Sequence, residues 1–189
     1  MPKKICLITG ATSGLGKELA LKLSKLNYNL ILIGNNKKKL KNLENYIDVK
    51  KHSFHNLNLA KLNNVKKFLN KIKKVKKIDL IINNAGSLIY ENKTINNSKT
   101  IKLNYLSHIY ITEKLLKKIK KSKEKKIIFI SSHVHKNIYL NDNIFKDKRT
   151  YSSWKLYKLS KLFLNTYAAY LNRKKLKINI YTINPGRLS

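Results

Sequence analysis

Three of the chain's six glycines fall within one eight-residue stretch, Thr9-Gly10-Ala11-Thr12-Ser13-Gly14-Leu15-Gly16, and nothing else in the sequence constrains the fold as much. The stretch follows Lys4-Ile5-Cys6-Leu7-Ile8-Thr9, an apolar run suited to a buried strand. It precedes residues 17–26, where apolar side chains recur at 19, 20, 21, 23 and 26 with helical spacing. Glycines between a strand and a helix permit a tight turn, close approach of the backbone to a pyrophosphate, and close helix–strand packing, with the helix N-terminus facing the phosphates. In a chain so poor in glycine this spacing is not a product of composition. It points to a dinucleotide site.

The alternation continues to the end of the chain. Further strands are expected at 29–33, 52–59, 78–82, 126–130 and 178–183, with helices at 37–47, 65–75, about 98–121 and about 152–172. Strands alternating with helices predict a doubly wound parallel sheet with helices on both faces, an α/β single domain over residues 1–189. Residues 133–150 form the one extended polar segment, expected as a long loop.

Charge limits the partners. The formal net charge is +33, but it comes from 39 Lys and only 3 Arg, beside 24 Asn and 11 Tyr. Lys is spread over every segment, so the bias reads as compositional, a solvated surface that binds polyanions weakly and gives up that binding in salt. Arg is the better bidentate ligand for phosphate and guanine, and its scarcity argues against a specific nucleic-acid partner. The rival reading is a basic scaffold or nucleic-acid-binding remnant that keeps the fold without turnover. Cys6 is the only cysteine, and no apolar run reaches the roughly 20 residues of a membrane span. With no signal-peptide anatomy at the start, a reduced cytoplasmic location without a transmembrane segment is expected. The five histidines (52, 55, 108, 133 and 135) read as loop or surface residues, and no metal site is expected.

Chemistry enters with tyrosine and lysine. Four residues apart on a helix, the two side chains share a face, and an ammonium about 4 Å from a phenol offsets roughly the 4 kcal/mol needed to bring a tyrosine near neutrality. Five Tyr-x-x-x-Lys pairs occur: Tyr46/Lys50, Tyr110/Lys114, Tyr151/Lys155, Tyr157/Lys161 and Tyr170/Lys174. Spacing alone does not choose among them.

Together the motifs resemble the short-chain dehydrogenase/reductase family. They are Thr-Gly-x-x-x-Gly-x-Gly after the first strand, Asn83-Asn84-Ala85-Gly86 after the fourth and Asn184-Pro185-Gly186 after the sixth, so five of six glycines fall on motif positions. The stretch Ser131-Ser132-His133-Val134-His135, with Tyr151-Ser152 before the catalytic tyrosine, most resembles the retinol-dehydrogenase-like branch. The resemblance selects Tyr157-Lys158-Leu159-Ser160-Lys161, 28 residues before Pro185, with Tyr151 as the one rival. It implies that Tyr157 is the acid/base, that Lys161 lowers its pKa and holds the ribose, that Ser132 orients a substrate carbonyl, and that Asn104 completes a relay to the lysine. It further implies cofactor contacts from Thr9, Gly10, Ser13, Gly14, Leu15, Gly16, Asn35, Asn58, Leu59, Asn84, Ala85, Gly86, Tyr157, Lys161, Pro185 and Gly186. A small carbonyl or alcohol substrate is implied, as is a homodimer or tetramer through the two long helices, using Leu115, Leu116, Leu162 and Phe163 if these face away from the sheet.

Three departures bear on this. Asn58-Leu59 stands where the family usually has Asp-Leu. Gly34-Asn35-Asn36 offers no carboxylate for the adenosine ribose, which with Lys37 to Lys39 nearby favours NADP over NAD. The chain stops at Arg187-Leu188-Ser189, before the family's last strand and substrate-covering segment. The resulting expectation is a fragment, a truncated gene model or a degenerate paralogue.

Overall fold

The apolar runs stand side by side as one parallel sheet. The computed structural model describes residues 3–136, 138 and 143–186. The strands are β1 (Lys4–Thr9), β2 (Tyr28–Gly34), β3 (Ser53–Asn56), β4 (Leu80–Asn83), β5 (Lys126–Ile130) and β6 (Asn179–Ile183), in the order β3-β2-β1-β4-β5-β6 with every neighbouring pair parallel. The helices are α1 (Gly14–Ser24), α2 (Lys37–Glu44), α3 (Leu62–Lys71), α4 (Lys99–Ile101), α5 (Ser107–Lys120) and α6 (Ser153–Arg173). The chain winds outward in both directions from β1, so the sheet's switch point lies between β1 and β4, where open α/β sheets bind ligands at the carboxyl ends of their strands.

Helices pack on both faces of the sheet, as continuous apolar strands require, while the edge strand β6 leaves Tyr181 and Ile183 exposed. Val65 and Phe68 of α3, Ile111, Leu115 and Ile119 of α5, and Leu164, Ala168 and Leu171 of α6 pack on one face against Leu7, Ile81, Ile127 and Phe129. Ala20 of α1 and Leu43 of α2 pack on the other against Cys6, Ile8, Leu30, Leu32 and Ile82. Cys6 is fully buried in the middle of β1, and burial pushes its thiol pKa up. At the amino ends of the strands the buried Asp79 carboxylate accepts from the Ile5 N–H at 2.7 Å and the Ser122 hydroxyl at 2.5 Å.

Several expectations need correction. The third strand is the four residues of β3, because Asn58 takes up a turn in which its side chain accepts from the Ala60 N–H at 3.0 Å. The helix expected over 98–121 is not regular: a π-helical turn, Lys102–Leu106, separates α4 from α5. His108 is fully buried in α5 and His55 lies within β3, half-buried, so neither is a loop or surface residue, whereas His52 is in the loop before β3, its ring nearly buried and accepting from the Leu30 N–H at 3.0 Å. Leu115 lies in the sheet-facing core and Phe163 in a satellite cluster with Ile95, Ile101, Tyr151 and Leu156, which leaves only Leu116 and Leu162 partly exposed. Within 133–150 a short 3₁₀ turn, His133–His135, opens the segment and Tyr151 closes it by bridging to Lys93; residues 137 and 139–142, like Arg187 to Ser189, lie outside the described residues.

Candidate active site

A cleft of about 620 Å³ opens along the carboxyl ends of the strands at the switch point. Every residue expected at a cofactor lines it except Thr9: Gly10, Ser13, Gly14, Leu15, Gly16, Asn35, Asn58, Leu59, Asn84, Ala85, Gly86, Tyr157, Lys161, Pro185 and Gly186. Ser132 lines it as well, while Asn104 stands behind the wall. The lining also holds Thr12, Gly34, Ser87, Ile89, Lys99 and Leu103, which the sequence reading did not single out. Thr12 and Ser87 sit inside or beside the glycine motifs and were legible there; Lys99 and Leu103, one helical turn apart, carry no such signal.

The glycine turn is built for close approach. A side chain at Gly16 would meet the Gly10 carbonyl oxygen at 2.1 Å, so α1 packs on the turn at a distance that only glycine permits. At Gly14 the reverse holds: φ is +48° and nothing lies within 4 Å of the position a Cβ would take, so this backbone faces open cleft. Ser13 precedes α1 without a side-chain cap, leaving the first-turn N–H groups to face the cleft. Uncapped donors at a helix N-terminus behind a glycine that faces space fit a pyrophosphate.

Thr9 works from behind. It is fully buried, and its hydroxyl oxygen accepts from the Asn84 and Ala85 N–H groups at 2.9 and 3.0 Å while lying 3.3 Å from His108 Nε2. Asn84 returns the link, its amide donating to the carbonyls of Thr9 and Gly10 at 3.0 and 3.2 Å. The turns after β1 and β4 are thus pinned together across the switch point. Burial, with Lys161 nearby, pushes the His108 pKa down to about 3, so this imidazole is neutral throughout the ordinary pH range.

Asn104 lies in the π-helical turn, a distortion often found at functional sites. Its side-chain oxygen accepts from the Ser87 N–H at 3.0 Å, and its amide donates to the Ser87 carbonyl at 3.1 Å and to the Ser160 hydroxyl at 3.0 Å. Ser160 donates in turn to the Tyr157 carbonyl at 2.7 Å. One amide therefore joins the loop after β4 to the helix that carries Tyr157 and Lys161.

Burial separates the five Tyr–Lys pairs. In four of them the ammonium lies over the ring, at 5.6 Å for Lys114, 4.8 Å for Lys155, 5.6 Å for Lys161 and 4.4 Å for Lys174, so their local geometry is common to the helices. Lys161 alone of the five lysines is buried; Lys50, Lys114, Lys155 and Lys174 are exposed. Lys161 donates to the Ile130 carbonyl at 3.0 Å, and burial pushes its pKa down to about 8. The rival Tyr151 spends its hydroxyl on Asp147 at 2.5 Å and packs in the satellite cluster.

The simple electrostatic argument for Tyr157 does not carry over to this geometry. Burial pushes its hydroxyl above the usual value of 10, and the Ser132 hydroxyl pulls it back only in part. The physical reason is that Lys161 is directed at a carbonyl in a desolvated pocket, where its own charge is disfavoured. Ser132 also accepts from the Val134 N–H at 3.4 Å, capping the 3₁₀ turn. Among the described residues, Lys99 and Lys161 are the only charged side chains in the cleft lining, and none of those residues is a carboxylate. Among the described residues no group of three or more His, Cys, Asp or Glu could hold a metal ion, and no helix is long and apolar enough to cross a membrane.

The profile of the family described as short chain dehydrogenase matches residues 4–189. Human polyprenol dehydrogenase is 30% identical over 184 residues, covering 91% of this chain and 56% of its own length. Human retinol dehydrogenase 13 is 29% identical over 196 residues, covering 98% of this chain and 59% of its own. The chain thus spans less than two-thirds of these curated relatives. A metagenomic short-chain oxidoreductase solved in complex with NADP superposes with a TM-score of 0.77 at 20% identity, covering 98% of this chain and 83% of that one.

Proposed function

The chain belongs to the short-chain dehydrogenase family, on its retinol-dehydrogenase-like branch, and on that premise we propose that its cleft transfers hydride between NADP(H) and the carbon of a small carbonyl or alcohol compound. The observation that carries this is that Ser132, Tyr157 and the buried Lys161 line the same cleft as the glycine turn. When bound, the nicotinamide supplies or accepts the hydride and, in its oxidised form, brings a positive charge beside the tyrosine. Tyr157 gives its hydroxyl proton to the substrate oxygen in reduction and takes it back in oxidation. The Ser132 hydroxyl donates to the same oxygen and fixes its direction. By the family resemblance Lys161 would hold the ribose of a bound cofactor and lower the Tyr157 pKa only in that complex, while Asn104 keeps the relay toward the lysine in register.

NADP is favoured over NAD because none of the described residues lining the adenosine end, where Asn35 and Asn58 stand, is acidic, and a carboxylate there would repel a 2′-phosphate. The relative solved with NADP shares this fold. A homodimer or tetramer would use the outer sides of α5 and α6, where Leu116 and Leu162 remain partly exposed.

Titrating the protein with NADPH while following Trp154 emission tests the cleft. Tyr157→Phe is expected to abolish turnover and keep NADPH binding, whereas Tyr151→Phe keeps turnover. The opposite pattern would move the acid/base to Tyr151, and no binding at millimolar NADPH by folded protein would refute the reading.

A further inference from the structure

A second cavity, of about 250 Å³, lies at the amino ends of the strands, and no residue lines both it and the cleft. Ile5 and Asn29, paired across β1 and β2, line it from the sheet together with Ile31, on the same face as Asn29. Val75, in the loop between α3 and β4, and Lys50, Lys51 and His52, in the loop before β3, complete its sides. The polar groups here are incompletely used. His52 is 9% exposed, and its Nδ1 accepts from the Leu30 N–H at 3.0 Å, which leaves the ring proton on Nε2. Nε2 has no hydrogen-bond partner among the described residues, and neither has the buried side-chain oxygen of Asn29. Buried polar groups without partners are rare in folded proteins. Burial holds the His52 pKa below its usual value, so the ring is a neutral donor at pH 7.

The cavity also sits in the most basic part of the molecule. Lysine supplies nearly half of the residues in the five loops that lead from a helix into β2 to β6, but about one in ten in the loops that leave the strands at the cleft. Five helix C-termini converge at the same pole, and at about half a negative charge each they offset only a small part of this excess. Charge of one sign around a concave site draws counter-ions into it. Lys51 is paired with Asp48 at 2.8 Å, which holds that carboxylate away from an entering anion, whereas Lys50 has no ion-pair partner among the described residues.

We propose that this cavity is a second binding site, for a small organic anion: a carboxylate on an apolar body no larger than one ring. The carboxylate accepts from His52 Nε2 and meets the free ammonium of Lys50, while the ring lies against Ile5, Ile31 and Val75. About 150 Å³ is enough for benzene, so the volume takes one ring with its carboxylate and excludes anything of dinucleotide size. Inorganic phosphate would leave the three aliphatic side chains without a partner. The site stands apart from the hydride-transfer reading, and its test needs no turnover.

Fluorine NMR titration with 4-fluorobenzoate at low salt, using the full chain, reads the site directly. Trifluoroacetate, which lacks the ring, and 4-fluorobenzyl alcohol, which lacks the charge, are each expected to bind at least about tenfold more weakly. Lys50→Glu, at an exposed position, is expected to weaken 4-fluorobenzoate about fivefold. His52→Asn keeps an acceptor for the Leu30 N–H, removes the Nε2 donor, and is expected to weaken it about tenfold. Saturating NADPH is expected to leave the affinity unchanged. Equal binding of trifluoroacetate would reduce the site to general attraction by lysines, and equal binding of the alcohol to an apolar hollow; either overturns the proposal. So does competition by NADPH, which would move the ligand to the cleft, and so does an affinity unchanged in Lys50→Glu. That variant decides alone if His52→Asn does not fold, and absence of binding at about 10 mM 4-fluorobenzoate refutes the site outright.

Discussion

Lys161, in its proposed role, would serve chemistry at a cost in stability. It is 3% exposed and holds its proton less tightly than an unfolded lysine, with a pKa of about 8 against 10.5. Keeping that ammonium buried costs about 3 kcal/mol at neutral pH, and its bond to the Ile130 carbonyl returns about 1 kcal/mol. Between about pH 8 and 10.5 the unfolded chain binds more protons at this site than the native one, so native stability rises with pH across that window. Lys161→Met is therefore expected to be more stable than the parent by about 2 kcal/mol at pH 7, with the advantage shrinking toward pH 10, while turnover is lost. Urea titrations of both proteins at several pH values check this; a variant less stable than the parent at pH 7 contradicts it. The sequence proposes this lysine among five Tyr–Lys pairs only through motif context. Its burial, which sets it apart physically, depends on packing between α6 and β5 that no spacing rule encodes.

At the level of elements the sheet was legible, because apolar runs of strand length bounded by polar turns leave few alternatives. What escaped was irregularity. The π-helical turn at Lys102–Leu106 sits in a stretch with good helical periodicity, and the distortion accompanies long-range bonds from Asn104 to Ser87 and Ser160. His108 escaped for a similar reason: its polar ring is buried because Thr9, 99 positions away, offers it a hydroxyl. Helix ends also rely on distant partners. Lys118 of α5 donates to three carbonyls that follow or close α3, those of Ile72, Lys73 and Val75, at 3.0, 2.9 and 2.6 Å. Lys118→Met keeps most of the side chain's bulk but leaves these acceptors to water, and is expected to destabilise the fold by about 1–2 kcal/mol. The midpoint of a urea transition should fall with its slope unchanged; an unchanged midpoint would mean that the cap carries no net energy.

For the whole molecule, charge is the dominant long-range term. A net +33 over 189 residues sets the surface against itself, and only five ion pairs are present among the described residues. Salt should therefore remove more repulsion than attraction once the screening length falls to about 10 Å near 0.1 M. The melting temperature is expected to rise by several degrees between low and moderate ionic strength, and a fall would show that the few ion pairs outweigh the repulsion. The same screening should erase any association with RNA or DNA; binding that survives it and prefers one sequence would favour the basic-scaffold alternative.

The lone thiol in the central strand makes the protein its own folding clock. Cys6 is fully buried on the sheet face covered by α1 and α2, and a maleimide or disulfide reagent reaches it only when that layer lifts or the domain unfolds. The rate of labelling under native conditions thus counts openings of this helix–sheet layer, with no ligand, turnover or engineered probe required. If β1 opens only with the whole domain, that rate will follow global unfolding as urea is added, and NADPH will slow it by the stabilisation it confers. A labelling rate indifferent to both would mean that α1 and α2 lift locally from the sheet while the rest stays folded.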